Sequence, residues 1–133
     1  MKVRYINGKL SLGRVLVVDD SITTRTLVQG VLEFAGYAVK TALNGVDALC
    51  ILQSEAFDLV VADVNMPKMD GFELVRKIRE DLACASLPVI MLTSQATFDS
   101  HKEGKDSGAN AYIVKGSCNQ TVLLETVEKI MGS

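Results

Sequence analysis

The sequence predicts an α/β domain built on a parallel sheet with helices on both faces. Short apolar runs typical of strands alternate five times with segments whose apolar residues recur every three or four positions. The 133 residues match the usual size of one domain, and the sequence contains no internal repeat or low-complexity linker. One domain is therefore expected over residues 14–133. Residues 1–13 are interpreted as a linker or the tail of a preceding segment.

The first half of the chain predicts two strand-helix units. A buried strand is expected over Arg14–Val18, and the helix after it has Ser21 as its N-cap and Gly36 as its stop. A second strand, more mixed in polarity, is expected over Tyr37–Ala42. The Asn-Gly pair at 44–45 then turns the chain into a second helix.

The second half continues the alternation. Further strands are predicted over Leu59–Ala62, Val89–Leu92 and Ala111–Val114, and helices around residues 72–78, over residues 97–107 and from about Asn119 to Met131. The helix over residues 97–107 is polar nearly throughout and contains Gly104, so it is expected to be the most mobile element.

Composition excludes several classes of protein. Fourteen basic and sixteen acidic residues give a net charge of −2 without a basic run, which argues against nucleic-acid binding. No apolar run approaches the roughly 20 residues that cross a bilayer, and the N-terminus lacks an export signal. A cytoplasmic protein that binds neither membrane nor nucleic acid is expected. The three cysteines lack Cys-x-x-Cys spacing, so neither a disulfide framework nor a zinc site is indicated.

Polar residues follow four of the predicted strands, at the edge where parallel strands end. Asp19 and Asp20 follow the first strand, Asp63 the third, Thr93 the fourth and Lys115 the fifth. Right-handed crossovers place all these ends on one edge of the sheet, where ligands bind in such folds. Three neighbouring carboxylates repel one another unless a cation lies between them, and Mg²⁺ prefers oxygen ligands. A hydroxyl and an ammonium group suit phosphate oxygens, so the set predicts phosphoryl-transfer chemistry.

Each of these residues has a simpler interpretation when it is taken alone. An Asp-Asp pair is often a solvated loop, and Asp63 ahead of a proline-containing loop could form a turn. Thr93 could cap a helix, and Lys115 could be a surface charge. The functional interpretation depends on the whole set standing at strand ends in the right order.

Four stretches of the chain resemble the motifs of response-regulator receiver domains of two-component signalling. They are VLVVDDS, LVVADVNMPKMDGFEL, PVIMLTS and GANAYIVK, in this order within about Arg14 to Met131. The resemblance implies a flavodoxin-like fold with strand order 2-1-3-4-5 and five helices. It implies a signalling module that supports its own phosphorylation and dephosphorylation. The sequence has no glycine motif for ATP binding and no plausible phosphodonor histidine, so no kinase activity is expected within this chain.

The resemblance also assigns the acceptor and the metal ligands. It implies that Asp63 accepts a phosphoryl group from the phosphohistidine of a histidine kinase or a histidine phosphotransfer domain. Mg²⁺ or Mn²⁺ would be bound by Asp20, Asp63 and the backbone carbonyl of Asn65, with Asp19 as an outer partner.

The remaining site residues complete the predicted switch. The resemblance implies that Thr93 and Lys115 bond the phosphoryl group and that Tyr112 is the switch aromatic. The output surface would comprise the fourth helix, the fifth strand and the fifth helix. Asn65 and Gln95 flank the approach of a hydrolytic water and are expected to tune the lifetime of the phosphoryl group.

One departure from the family pattern points to a subclass. Gly116 stands where the family usually has a proline after the lysine, so a trans peptide bond and a different loop are expected. The segments DDSITTRTLVQGVLEFAGYAV and VKGSCNQTVLLETVEKIM are similar to the receiver fused to the C-terminus of chemotaxis-type hybrid histidine kinases. The attached kinase core would then be a partner, and direct transcriptional output is not expected.

Three alternatives remain open at this stage. The chain could be a stand-alone single-domain response regulator. An aspartate-dependent phosphatase is disfavoured, because it normally needs a general-acid aspartate where this chain has Asn65. A flavodoxin-like nucleotide or flavin binder is disfavoured because no glycine-rich or hydroxyl-rich phosphate loop follows the first strand, and the aspartates there would repel a phosphate.

Overall fold

A computed structural model of the chain describes residues 4–6, 8–81, 84–93, 108–114 and 120–131. Seven strands and four helices lie in these ranges. They are β1 (Arg4–Ile6), β2 (Lys9–Ser11), β3 (Arg14–Val18), α1 (Ile22–Phe34), β4 (Ala38–Ala42), α2 (Gly45–Ser54), β5 (Leu59–Asp63), α3 (Gly71–Glu80), β6 (Val89–Thr93), β7 (Ala111–Val114) and α4 (Gln120–Met131).

The main sheet has five parallel strands in the order β4-β3-β5-β6-β7. Because β3 is the first strand of the predicted domain, this is the order 2-1-3-4-5, and the predicted fold class is confirmed. The register pairs Val18 with Ala62 and Asp63 with Leu92. The carboxyl ends of β3, β5 and β6 therefore lie side by side.

The predicted element boundaries agree closely with the structure. β5 and β6 each extend one residue beyond the predicted strand, so Asp63 and Thr93 belong to the sheet itself. The helix predicted over residues 97–107 lies outside the described residues. Within the described ranges, every helix is too short or too polar to span a bilayer.

The core forms two layers, one on each face of the sheet. Every residue of the central strands β5 and β6 is buried, as expected for parallel strands covered on both faces. Along β3 the side chains alternate. Leu16 and Val18 belong to the cluster that α2 and α3 cover, and Val15 and Val17 belong to the cluster that α1 and α4 cover.

Polar side chains cap the first three helices at the carboxyl edge of the sheet. Ser21, Asn44 and Asp70 are the N-caps, and their side chains accept hydrogen bonds from the backbone N–H of Thr24, Asp47 and Glu73. The predicted cap Ser21 is thereby confirmed. Gly36, the predicted stop of α1, has a φ of +108°, a conformation that favours glycine.

The segment before residue 14 contains structure that the linker interpretation did not anticipate. β1 and β2 form an antiparallel hairpin, in which Tyr5 pairs with Leu10, and Gly8 in its turn has a φ of +79°. The backbone N–H of Leu12 donates to the carbonyl of Gly36 at 2.9 Å, and Leu12 packs against the core cluster under α1. The glycine turn between alternating residues was a hairpin signal. The domain boundary at residue 14 stays a prediction.

Candidate functional site

Three carboxylates meet at the carboxyl edge of the sheet. Asp19 and Asp20 follow β3, and Asp63 ends β5. Each offers an oxygen, and these three oxygens all lie within 4.8 Å of one another. Asp19 and Asp63 are buried, with 2% and 7% of their surface exposed, whereas Asp20 faces solvent. The structure thus brings together the acidic residues that the strand ends predicted.

The geometry of this acidic cluster (Asp19, Asp20 and Asp63) fits a small divalent cation. Mg²⁺ takes oxygen ligands at about 2.1 Å, so two oxygens bonded to one ion lie at most about 4.2 Å apart. Oxygens that already lie within 4.8 Å reach that spacing through small side-chain rotations. The cluster offers carboxylate oxygens only, which suits a hard cation and not zinc or copper.

Three hydrogen bonds fix the position of Asp19. Its backbone N–H donates to the carbonyl of Ala42 at 3.2 Å, which ties the end of β3 to β4. Its carboxylate accepts from the backbone N–H of Ser21 at 2.9 Å. Its carbonyl accepts from the guanidinium of Arg25 at 2.8 Å. Sequence reasoning missed Arg25, because nothing in a helical pattern signals that a side chain reaches back to the preceding loop.

Asp63 lies where β5 passes into the loop before α3. Its carboxylate accepts a hydrogen bond from the backbone N–H of Asn65 at 3.3 Å, and the N–H of Val64 donates to Leu92 of β6 at 2.9 Å. Asn65 itself is exposed. The loop also contains Lys68, a non-glycine residue with a φ of +70°. Such a conformation costs energy, so the tight course of the loop is imposed by its surroundings.

The other predicted site residues are only partly covered by the structure. Thr93 ends β6 with none of its surface exposed, and it stands one position beyond Leu92, which pairs with Asp63. Tyr112 lies on β7 opposite Met91, and its hydroxyl oxygen is shielded from solvent. Gln95, Lys115 and Gly116 lie outside the described residues, as does the expected trans bond before Gly116.

Comparisons of the sequence and of the structure with known proteins agree on one family. The family model described as the response regulator receiver domain matches residues 15–128. The gliding motility regulatory protein of Myxococcus xanthus is 38% identical over 117 residues, which cover 88% of this chain and 15% of that protein. The chemotaxis protein CheY of Pseudomonas aeruginosa is 40% identical over 118 residues, which cover 88% of this chain and 94% of that protein.

A solved structure extends the likeness to three dimensions. The receiver domain of the sensor histidine kinase PA1611 from Pseudomonas aeruginosa, solved with a magnesium ion coordinated in its active site cleft, superposes with a TM-score of 0.84. It is 25% identical to this chain and covers 91% of it, and the chain covers 98% of that structure. Fold, acidic cluster and sequence family agree, and the chain belongs to the response regulator receiver domains, signalling modules of two-component systems.

Proposed function

We propose that this chain accepts a phosphoryl group on Asp63 from a phosphohistidine, with Mg²⁺ or Mn²⁺ as cofactor. The observation that carries the proposal is the acidic cluster, in which the largely buried carboxylate of Asp63 lies within 4.8 Å of the oxygens of two further aspartates. A metal bound there would neutralise charge on the phosphoryl oxygens. Asp20, Asp63 and the backbone carbonyl of Asn65 are the proposed ligands, with Asp19 as an outer partner.

The proposed step is an in-line displacement at phosphorus. A carboxylate oxygen of Asp63 forms a bond to phosphorus while the bond between phosphorus and the histidine nitrogen breaks, and the imidazole keeps that electron pair. Catalysis of this kind is mostly positioning. The protein supports it by fixing Asp63 at the end of a buried strand and by holding Asp19 with Ser21 and Arg25.

Thr93 and Lys115 are the proposed partners of the phosphoryl oxygens, and Tyr112 is the proposed switch aromatic. The burial of Thr93 at the end of the strand next to Asp63, and of the Tyr112 hydroxyl, supports this assignment. Phosphorylation would shift the surface formed by the helix predicted over residues 97–107, by β7 and by α4. Asn65 and Gln95 are the proposed residues that tune how long the phosphoryl group persists.

The proposed phosphodonor is a helical histidine kinase or histidine phosphotransfer domain that contacts α1. This helix begins three residues after Asp19 and exposes a series of large apolar side chains. Ile22 is 69% exposed, Leu27 59% and Phe34 94%. Leu27 and Phe34 line one groove with Val31 and Leu124, and exposed apolar patches of this kind are typical of protein contact sites. A donor that lies along α1 would reach the acidic cluster at its N-terminal end.

The finer placement of the chain is also a proposal. We favour a receiver at the C-terminus of a chemotaxis-type hybrid kinase in the cytoplasm, because of the resemblances in the first and last helices and because relatives include a much longer regulatory protein. A stand-alone regulator is the second candidate, since the chain spans 94% of a CheY protein. An enzyme that turns over external phosphate esters is disfavoured, because Asn65 cannot act as a general acid.

Intact-protein mass spectrometry after incubation with acetyl phosphate tests the proposal. Wild type should gain one phosphoryl group when Mg²⁺ is present and none in excess chelator. Asp63→Asn keeps the shape of the side chain but removes the nucleophilic carboxylate, so it should gain none. Full labelling of Asp63→Asn, or labelling of the wild type without any divalent cation, would contradict it.

A further inference from the structure

The start of α3 packs against the backbone of the proposed acceptor. Gly71 is the first residue of α3 and is buried. Its backbone N–H donates to the carbonyl of Val64 at 2.9 Å. A Cβ built on Gly71 would lie 2.6 Å from the carbonyl oxygen of Asp63, 2.9 Å from the Cα of Val64 and 3.1 Å from the Cε of Met91. The glycine therefore permits an approach that other residues do not.

The nature of the contacted atoms sets Gly71 apart from a comparable glycine. The two closest atoms belong to the backbone, so rotation of a side chain cannot relieve the contact. Gly45 is also buried, and it too is the first residue of a helix. A Cβ there would lie 2.9 Å from the sulfur, 3.0 Å from the Cγ and 3.1 Å from the Cβ of Met69, which are all side-chain atoms, and the nearest of them belongs to the flexible end. A side chain at position 71 would thus meet backbone atoms first, whereas one at position 45 would meet a side chain.

Any displacement caused by a side chain at position 71 would concentrate on the proposed acceptor and its loop. α3 is anchored by Leu74, Val75 and Ile78, none of which is exposed, so the helix has little room to withdraw. The two closest contacts are with Asp63 and Val64, so relief of the overlap would change the position of these residues relative to α3. Asp19 and Asp20 belong to the connection after β3 and would stay in place.

We infer that Gly71 is a positioning residue for Asp63. Because Gly71 has no side chain, the start of α3 can contact the backbone next to Asp63 and hold residues 63–65 in a fixed position relative to Asp19 and Asp20. This inference rests on the proposed function of Asp63. The backbone contact and the hydrogen bond to Val64 hold two of the proposed metal ligands, the Asp63 carboxylate and the Asn65 carbonyl, at a set distance from Asp20.

The test compares wild type, Gly71→Ala and Gly45→Ala. Calorimetric titration measures the Mg²⁺ affinity, mass spectrometry measures the rate of phosphorylation by acetyl phosphate at saturating Mg²⁺, and circular dichroism checks folding. Loss of a group that orients metal ligands typically weakens metal affinity about 10- to 100-fold, which is expected for Gly71→Ala. Misplacement by about 1 Å can slow the chemical step about 100-fold. Gly45→Ala, whose contact is with the Met69 side chain and not with backbone, should change both far less. A folded Gly71→Ala that matches wild type would overturn the inference.

The outcomes separate this inference from the proposed function. A wild type that binds Mg²⁺ but is never phosphorylated would refute the proposed function, while the affinities would still test Gly71. If Gly71→Ala does not fold, amide hydrogen exchange on the wild type replaces it. Exchange of the Gly71 N–H should slow when Mg²⁺ is added, because it donates to the carbonyl of Val64, which lies between the proposed ligands Asp63 and Asn65. Exchange of the Gly45 N–H should not slow. Unchanged exchange at Gly71 would overturn the inference.

Discussion

Replacing Asp20 by asparagine should stabilise the metal-free protein and weaken its response to Mg²⁺. The exposed Asp20 carboxylate lies within 4.8 Å of an oxygen of Asp19 and of Asp63. Asparagine keeps the shape and one ligand oxygen but removes one of the three like charges. Without a cation the three carboxylates repel one another, and this repulsion lowers the free energy of unfolding of the metal-free protein. A bound cation removes the repulsion.

The magnitude follows from the separation of the charges. Two unit charges 4.8 Å apart repel by ~0.9 kcal/mol in water and by ~3.5 kcal/mol at an effective dielectric constant of 20. Because Asp20 is exposed, the water value applies more closely, and its two partners together give a gain of about 1–2 kcal/mol for Asp20→Asn. The gain should shrink in high salt, because exposed charges are screened.

Urea unfolding with chelator, and again with excess Mg²⁺, measures both effects. In chelator the variant should be more stable than the wild type. A ligand present at 100 times its dissociation constant stabilises a protein by about 2.7 kcal/mol. Excess Mg²⁺ should therefore stabilise the wild type by an amount of this order and the variant by much less. Glu125→Gln, at an exposed carboxylate in the middle of α4 and outside the cluster, is the control and should change neither. A variant no more stable than wild type in chelator would show that the three carboxylates do not repel one another appreciably.

Two further predictions concern other parts of the surface. Leu27→Gln should slow phosphotransfer from a histidine kinase about tenfold, as expected for a side chain central to a protein contact, and leave labelling by acetyl phosphate unchanged. Leu10→Gln, also at an exposed apolar residue, is the control, and equal loss in both variants or in neither would contradict the proposed docking face. Hydrogen bonds from Lys40 and Arg14 lower the pKa of Glu55 below its ordinary value of 4.5. Because a lowered pKa stabilises the fold above the unfolded pKa, the stability advantage of wild type over Glu55→Gln should be present at neutral pH and be lost as the pH falls below 4.5 and through the lowered pKa of the folded state. A difference that persists at lower pH in urea titrations would show that the ion pairs are not its source.

The strands were predictable because each central strand is a continuous apolar run, a pattern that burial on both faces requires. The order of the strands was not predictable from the pattern, and only the resemblance to a family supplied it. The hairpin before residue 14 was missed because its alternation is short and is interrupted by a turn. Its contact with the domain depends on Leu12 reaching the turn at Gly36, which lies 24 positions away in the chain.

The acidic cluster could be predicted because parallel strands must end at the same edge, so Asp19, Asp20 and Asp63 had to converge. What holds those residues could not be predicted in the same way. Arg25 bonds to a backbone carbonyl, and Gly71 approaches a backbone oxygen, and neither contact leaves a signature in the spacing of residue types. Such contacts become visible only when helices are packed against strand ends.

Locating the phosphoryl group tests directly whether Asp63 is the acceptor. The wild type is incubated with acetyl phosphate and Mg²⁺ and reduced with borohydride, which converts a phosphorylated aspartate to homoserine, and its peptides are then mapped by mass spectrometry. We expect homoserine at position 63, only in samples that contained Mg²⁺. Homoserine at position 19 or 20 instead, or modification at 63 without a divalent cation, would contradict this expectation.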